Sequence, residues 1–257
     1  MLEIAIHARG LAKAYRTGQA ESPVLRGVDL QVPAGECVFL VGPSGSGKST
    51  LLSILGCVLT ADSGELRLFG EDVTNLTPGE QAHYRLRQIG FVFQRFHLFD
   101  RLSAWENVRV VDELLGRSKP ESRRRALELL DLVGLADRAD HRVTQLSMGQ
   151  RQRVALARAL AADPPLVLAD EPTASLDAES GQNAMRILKR LCRDLGKTVL
   201  VVTHDNRIFS QADRILTMAD GRIRPERVAP PHSNRSTPQL AVDVAELTAC
   251  LTAATGN

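Results

Sequence analysis

Four cysteines in 257 residues, at positions 37, 57, 192 and 250, stand far apart and form no C-x-x-C pair. That distribution supports neither a zinc knuckle nor a disulfide framework, and buried thiols in a reducing compartment are the expectation. Surplus charge is missing too. Lysine and arginine number 32 against 30 aspartates and glutamates, a formal net charge of +2, too small for the electrostatic footprint of a nucleic-acid binder. No apolar run approaches the length of a bilayer-crossing helix, and the opening Met1 to His7 lacks a charged leader followed by an apolar core. Work at a membrane is therefore expected to go through another, anchoring subunit. What remains is a composition 44% hydrophobic and 24% charged, enough core for one large domain or two modest ones in a soluble globular protein.

Against that plain background one stretch is distinctive. The apolar run Cys37 to Val41 leads into Gly42, Pro43, Ser44, Gly45, Ser46, Gly47, Lys48, Ser49 and Thr50, and Leu51 to Leu55 follows as the opening of a helix. This is G-x-x-x-x-G-K-[ST] in the strand-then-helix context that its chemistry requires. Glycines let consecutive backbone N–H groups turn toward one anion, and a helix N-terminus adds partial positive charge. Lys48 would reach the β- and γ-phosphates of a nucleotide, and the Ser49 hydroxyl would hold Mg²⁺.

Around this cradle, residues 3 to about 41 read as short strands with turns, since Ile4, Ile6 and Ala8 alternate, as do Val28, Leu30 and Val32. They predict a sheet of antiparallel character. Gly64 to Gly70 brackets another strand, Thr77-Pro78-Gly79-Glu80 is a capped helix start, and Ile89 to Phe93 is a strand ending at Gln94. From Arg95 to about Ala161 strand-like runs disappear, and Leu102 to Leu115, Arg123 to Val133 and Met148 to Ala161 carry helical spacing: an inserted helical subdomain. After Pro164-Pro165 the alternation resumes, with strands over Leu166 to Ala169, Thr198 to Val202 and Ile215 to Met218 and a helix over Glu179 to Leu195. The expected class is α/β, a mostly parallel sheet with its ligand at the carboxyl ends of the strands. Pro225, Pro230, Pro231 and Pro238 mark 225–239 as a linker, and Leu240, Val244, Leu247 and Leu251 put one apolar stripe on a short helix over 240–252.

Two adjacent carboxylates, Asp170 and Glu171, end the strand that begins at Leu166. Successive strand residues point to opposite sides, so the two should differ in task unless the strand ends between them. Asp170 is assigned to the metal and Glu171 to the water that attacks a phosphoryl group. His204 follows the strand ending at Val202 and can donate a hydrogen bond to a γ-phosphate. Gln94, neutral and two-sided, can touch the metal or its water shell. The other histidines, at 7, 83, 97, 141 and 232, have no partners at metal-ligand spacing and are read as structural. Ser147 to Gln150 is S-x-x-Q, a capping box that needs no ligand. A helix N-terminus with a serine and Gly149 also suits a phosphate, and the residues alone leave the two readings tied.

Taken in order, Tyr15, the cradle at 42–50, Gln94, Leu146-Ser147-Met148-Gly149-Gln150, Asp170-Glu171, Ser175-Leu176-Asp177 and His204 resemble the ATP-binding subunit of ABC transporters, over residues 3 to 224. The resemblance implies a P-loop ATPase, with ATP and Mg²⁺ as cofactors, in which two copies pair head to tail as a homodimer around ATP. It implies that Ser147, Gly149 and Gln150 meet the nucleotide of the partner copy, that Tyr15 stacks on adenine, and that Asp177 links the two sites. On those terms the capping box and the phosphate contact coexist. Met148 departs from the glycine usual there.

Phe91 to Leu98 and Asn206-Arg207 after Thr203-His204-Asp205 are similar to the subgroup that serves few-spanning permeases with large outer domains. That subgroup exports macrolides and glycolipids or releases lipoproteins, and it includes a cell-division regulator. The implied setting is peripheral, at the cytoplasmic face of a bacterial inner membrane, with membrane contact only through an integral-membrane permease and no nucleic-acid partner. A conventional importer or exporter ATPase, a non-transport ABC ATPase of cell division, translation or repair, and a nucleotide kinase are the alternatives. The soluble ABC ATPases resemble tandem cassettes or carry long coiled coils, and no heptad pattern persists between Thr50 and Leu146.

Overall fold

The computed structural model describes residues 3–18 and 20–224, so the linker at 225–239 and the helix expected at 240–252 lie outside the described residues. In chain order the elements are β1 (Ile4–Thr17), β2 (Ala20–Pro33), β3 (Cys37–Val41), α1 (Lys48–Leu55), β4 (Ser63–Leu68), β5 (Glu71–Asp72), α2 (Pro78–Gln88), β6 (Ile89–Val92), α3 (Ala104–Leu114), α4 (Lys119–Leu132), α5 (Met148–Ala159), β7 (Leu166–Asp170), α6 (Ala178–Leu195), β8 (Thr198–Val202), β9 (Arg214–Ala219) and β10 (Arg222–Ile223).

They form two sheets. One is antiparallel, in the order β2-β1-β4-β5; the other runs β10-β9-β3-β8-β7-β6 and is parallel throughout except for β10. The antiparallel sheet differs from its expectation in strand length. β1 and β2 are two fourteen-residue strands, not several short ones. Their pairing slips register between Ala8 and Leu11, where the Gly10 N–H bonds the side chain of Asp29 at 2.9 Å. Such an irregularity interrupts the period-2 pattern without ending the strand.

Strand alternation divides the core in two. Cys37, Phe39, Val167, Ala169, Val199 and Val201 face one side of the parallel sheet, where α3 to α6 pack. Val38, Leu40, Leu166, Leu168, Leu200 and Val202 face the other, against α1 and the antiparallel sheet. Both faces of the parallel sheet are covered, which is why its strands read as unbroken apolar runs.

The three helices inserted between β6 and β7 are locked by a buried ionic cluster. Asp112 of α3 is fully buried and pairs with Arg117, while Arg125 of α4 lies beside it at 3.9 Å. Burial pushes the Asp112 carboxyl up despite both guanidiniums. Arg117 and Arg125 each also donate to the Ala161 carbonyl just beyond α5. Helix α4 begins four residues ahead of the expected Arg123, at Lys119 after the N-cap Ser118, with Pro120 in its first turn.

Candidate functional site

The cradle stands at the carboxyl end of β3. Gly45 has φ 76 and a Cβ there would meet nothing within 4 Å, so conformation alone, and not space, calls for glycine at that position. Helix α1 starts at Lys48 with no side-chain cap on its first amides, leaving their N–H groups to an anion. The buried Ser46 hydroxyl has no hydrogen-bond partner. Lys48 folds over the loop and donates to the carbonyls of Gly42 and Pro43 at 2.9 Å each. Tyr15, 45% exposed, sets its hydroxyl 3.5 Å from Thr50 Oγ1, so its ring borders the first turn of α1.

The strand after Leu166 does end between the two carboxylates. Asp170 is the last residue of β7, and Glu171 turns out of the sheet with φ 48, its N–H held by the Val202 carbonyl at 2.9 Å. Burial, then the neighbouring Glu171 charge, pushes the Asp170 carboxyl up, while a hydrogen bond from Ser49 and the charge of Lys48 pull it back. Glu171 and His204 meet: Nδ1 of the imidazole lies 2.7 Å from Oε1. The other carboxylate oxygen, Oε2, is buried without a partner. These oxygens fit Mg²⁺ and a phosphate. Asp170 and the Ser49 hydroxyl offer hard donors to the metal side by side, the unpartnered Ser46 hydroxyl can donate to a phosphate oxygen, and Glu171 Oε2, an acceptor, suits a water.

Gln94 is exposed in a turn two residues past Val92, the strand neighbour of Ala169. It therefore shares the carboxyl edge with the acidic pair, and no hydrogen bond joins it to them among the described residues. Ser147 caps α5 as a full capping box, with Ser147 N–H on Gln150 Oε1 at 2.9 Å and Gln150 N–H on Ser147 Oγ at 3.3 Å. Met148 occupies the first helical position with its side chain 46% exposed, so the backbone there makes no demand for glycine. Gly149 does face a demand. A Cβ on it would sit 2.6 Å from Ser180 Oγ, so the N-termini of α5 and α6 touch through a residue without a side chain. Asp177 is the N-cap of α6 and accepts from Ser180 N–H at 2.9 Å, the contact that chiefly holds its carboxyl below the usual range.

Sequence reasoning missed three contacts. One is the Glu171–His204 bond, for which the places of the two residues at the ends of neighbouring parallel strands were the available signal. A second is the brace behind His204. Arg207 donates to both oxygens of Asp205 at 2.8 Å, and Thr173 adds a hydroxyl at 3.2 Å, which holds Asp205 well below the usual carboxylate range. The third is Arg158, described below, which stands three and four residues from the buried Ala155 and Val154 on α5.

A phosphate cradle at the end of a parallel strand, with a carboxylate pair and a histidine on the adjoining strand ends, defines a P-loop nucleoside triphosphatase. Residues 25–174 match the family described as "ABC transporter", and the chain belongs to that family as an ABC-type ATPase. It is 43% identical to the macrolide export ATP-binding/permease protein MacB 2 of Aeromonas hydrophila, over 94% of this chain and 37% of that protein. The chain thus spans little more than a third of that relative. To an uncharacterised ABC transporter ATP-binding protein of Thermotoga maritima it is 47% identical over 82% of this chain and 90% of the other. Among solved structures, the dimeric structure of MJ0796, a bacterial ABC transporter cassette, superposes with a TM-score of 0.81 at 42% identity, covering 87% of this chain and 98% of the other. The same cassette as a post-hydrolysis dimer bound to ADP and Pi gives 0.80 at 41% identity, with the same coverage of each chain.

Proposed function

We propose that residues 1–224 form the ATP-driven motor of a membrane export or extraction system, and that two copies close head to tail on ATP. The observation that carries this is the division of the site within one chain: cradle, acidic pair and His204 gather at the sheet edge, whereas the capped end of α5 packs on α6. Ser147 and Gly149 then serve the nucleotide of the other copy, and Asp177 at the head of α6 lies where the two sites communicate.

In the closed pair the cradle amides and Lys48 grip the phosphates, Lys48 exchanging its two loop carbonyls for phosphate oxygens. Tyr15 covers the adenine. Ser49, Asp170 and Gln94 would hold Mg²⁺, which would neutralise charge at the phosphate oxygens. Glu171 takes the proton of the attacking water, while His204 fixes its carboxylate through Oε1. Nδ1–H given to the Glu171 carboxylate fixes the orientation of the His204 ring. Greater affinity of ATP for the closed than for the open pair is the work available to a coupled permease.

That permease is an integral-membrane partner with few spans, and its cargo a hydrophobic or lipid-linked molecule; the motor sits peripherally at the cytoplasmic face of a bacterial inner membrane. Among the described residues no helix is long and apolar enough to cross a membrane. The permease's inward-facing segment fits a groove of about 770 Å³ rimmed by the exposed Val58, Phe99 and Leu114.

The test is to trap Glu171→Gln with Mg-ATP, measure its mass in solution, and identify what accompanies it from detergent-solubilised membranes. A dimer with ATP but not ADP, carrying a few-spanning permease, is the expected result. Persistent monomer, or recovery of ribosomal or other soluble partners alone, rejects the transporter motor.

A further inference from the structure

All three arginines of α5 donate to backbone carbonyls. Arg151 holds Val143, Thr144 and Leu146, and Arg153 holds Val133 and Gly134. Both ties hold the connection between α4 and α5. Arg158 differs, reaching across to the stretch that follows Gln94 and donating to the carbonyls of Phe96 at 2.6 Å and His97 at 2.5 Å.

That stretch needs holding. Phe96 has φ 28 and His97 φ 49, left-handed values that bulky residues adopt only when their surroundings impose them. On one side the His97 ring packs edge-on against Phe93 at 5.0 Å. On the other, Asn107 of α3 pins Phe99 through its N–H at 2.7 Å and its carbonyl at 3.2 Å. Between these anchors Arg158 is the one side chain of α5 bonded to the segment among the described residues, and no carboxylate pairs with it there. Burial accordingly draws its guanidinium below the ordinary value. A charged fork spent on two neutral, strained carbonyls is costly unless the fixed position is what is needed.

We propose that Arg158 is a positioning residue for hydrolysis: it bolts the Gln94 segment to α5, so that Gln94 at the reacting phosphate of one site and Ser147, presented to the other, move as a single piece. This rests on the assignment of Gln94 to the metal and water shell. Arg158 touches neither nucleotide nor metal; it acts through the Phe96 and His97 carbonyls. Losing the bolt leaves the cradle intact and lets Gln94 wander, and displacements of about an ångström at a reacting centre cost up to ~10²-fold.

The experiment is a double-mutant cycle on the full chain, reading kcat, KM and nucleotide-binding stoichiometry for Arg158→Met, Gln94→Ala and the pair. Arg158→Met is expected to lower kcat by about 10- to 100-fold, with KM within about two-fold and binding stoichiometry unchanged. The pair is expected to be no slower than the slower single variant, since both changes remove one function. A purely structural arginine would instead give losses that multiply, and that result, or a parental kcat for Arg158→Met, overturns the proposal. If Gln94→Ala itself runs at the parental rate, the assignment of Gln94 is at fault and the proposal falls with it. Should Arg158→Met bind nucleotide below parental stoichiometry, Arg158→Lys replaces it in the cycle under the same criteria, because an ammonium keeps the charge and loses the fork.

Discussion

His204 Nδ1 stands 2.7 Å from Glu171 Oε1, although the histidine side chain is 72% exposed and the carboxylate 15%. The buried member is the one with an oxygen to spare, and the exposed member is the one that holds it still. Glu171→Gln keeps the shape and loses the carboxylate proposed as the base. It is expected to bind Mg-ATP while hydrolysis falls by about 10²–10⁴-fold, the usual worth of a positioned general base. Phosphate release at saturating ATP checks this, and near-parental turnover would remove Glu171 from the role.

Tyr15 borders the first turn of α1, and the adenine contact proposed for it has its own test. Tyr15→Ala should raise KM for ATP by about five-fold or more, the low end of what base stacking contributes, with little change in kcat. Tyr15→Trp should restore KM. Equal KM for the parent and the alanine variant would show that adenine binds elsewhere.

Where Gly149 passes Ser180, a Cβ would sit 2.6 Å from Ser180 Oγ and 3.0 Å from its Cβ, so the serine side chain or the helix end must shift. Gly149→Ala is expected to destabilise the fold by about 1–3 kcal/mol through overpacking, and Ser180→Gly in the same chain should recover part of that loss. Denaturation midpoints of the single and double variants decide it. Met148→Gly, at an exposed position, should cost no more than the ~1 kcal/mol helix penalty of glycine.

Asp205 is braced by Arg207, and its folded pKa lies below the ordinary 3.8. Stabilisation from a depressed carboxyl is complete above the unfolded pKa and disappears as pH falls through the folded one. Asp205→Asn should therefore lose about 1 kcal/mol near neutral pH, modest because Arg207 is largely exposed. The gap from the parent should close only below 3.8. A gap unchanged in acid would assign the loss to packing.

Asp112 is the anion for two guanidiniums, that of Arg125 buried and that of Arg117 half-buried. Asp112→Ala strands both and should cost about 3–5 kcal/mol, measured as a shift in urea midpoint. A loss below about 1 kcal/mol would mean that the Ala161 carbonyl alone satisfies the arginines.

The parallel strands, the cradle and the capped helices were legible because each is written in contiguous residues: an apolar run, a glycine spacing, an S-x-x-Q box. The long N-terminal hairpin was not, because the slip near Gly10 breaks the alternation on which strand length is judged. Individual site residues could be named, since each ends a recognisable element. Their pairings could not. Glu171 and His204 are 33 positions apart and Arg158 and His97 are 61, and only strand order and helix packing bring them together. Gly149 illustrates the converse case: chosen as a phosphate contact, it also has a packing reason within its own chain.

Strand order carries a consequence for synthesis. Strand β8, from Thr198, lies between β3 with the cradle and β7 with the acidic pair, and those two strands touch only through it. A growing chain that has passed Asp170 already contains Lys48 and both carboxylates, yet has no sheet to hold them at one edge. Catalytic competence thus arrives late, when His204 and the strand before it leave the ribosome together. Until then β3 and β7 offer unpaired apolar edges of the kind chaperones protect. A chain stopped short of β8 should be hazardous before it is merely inactive.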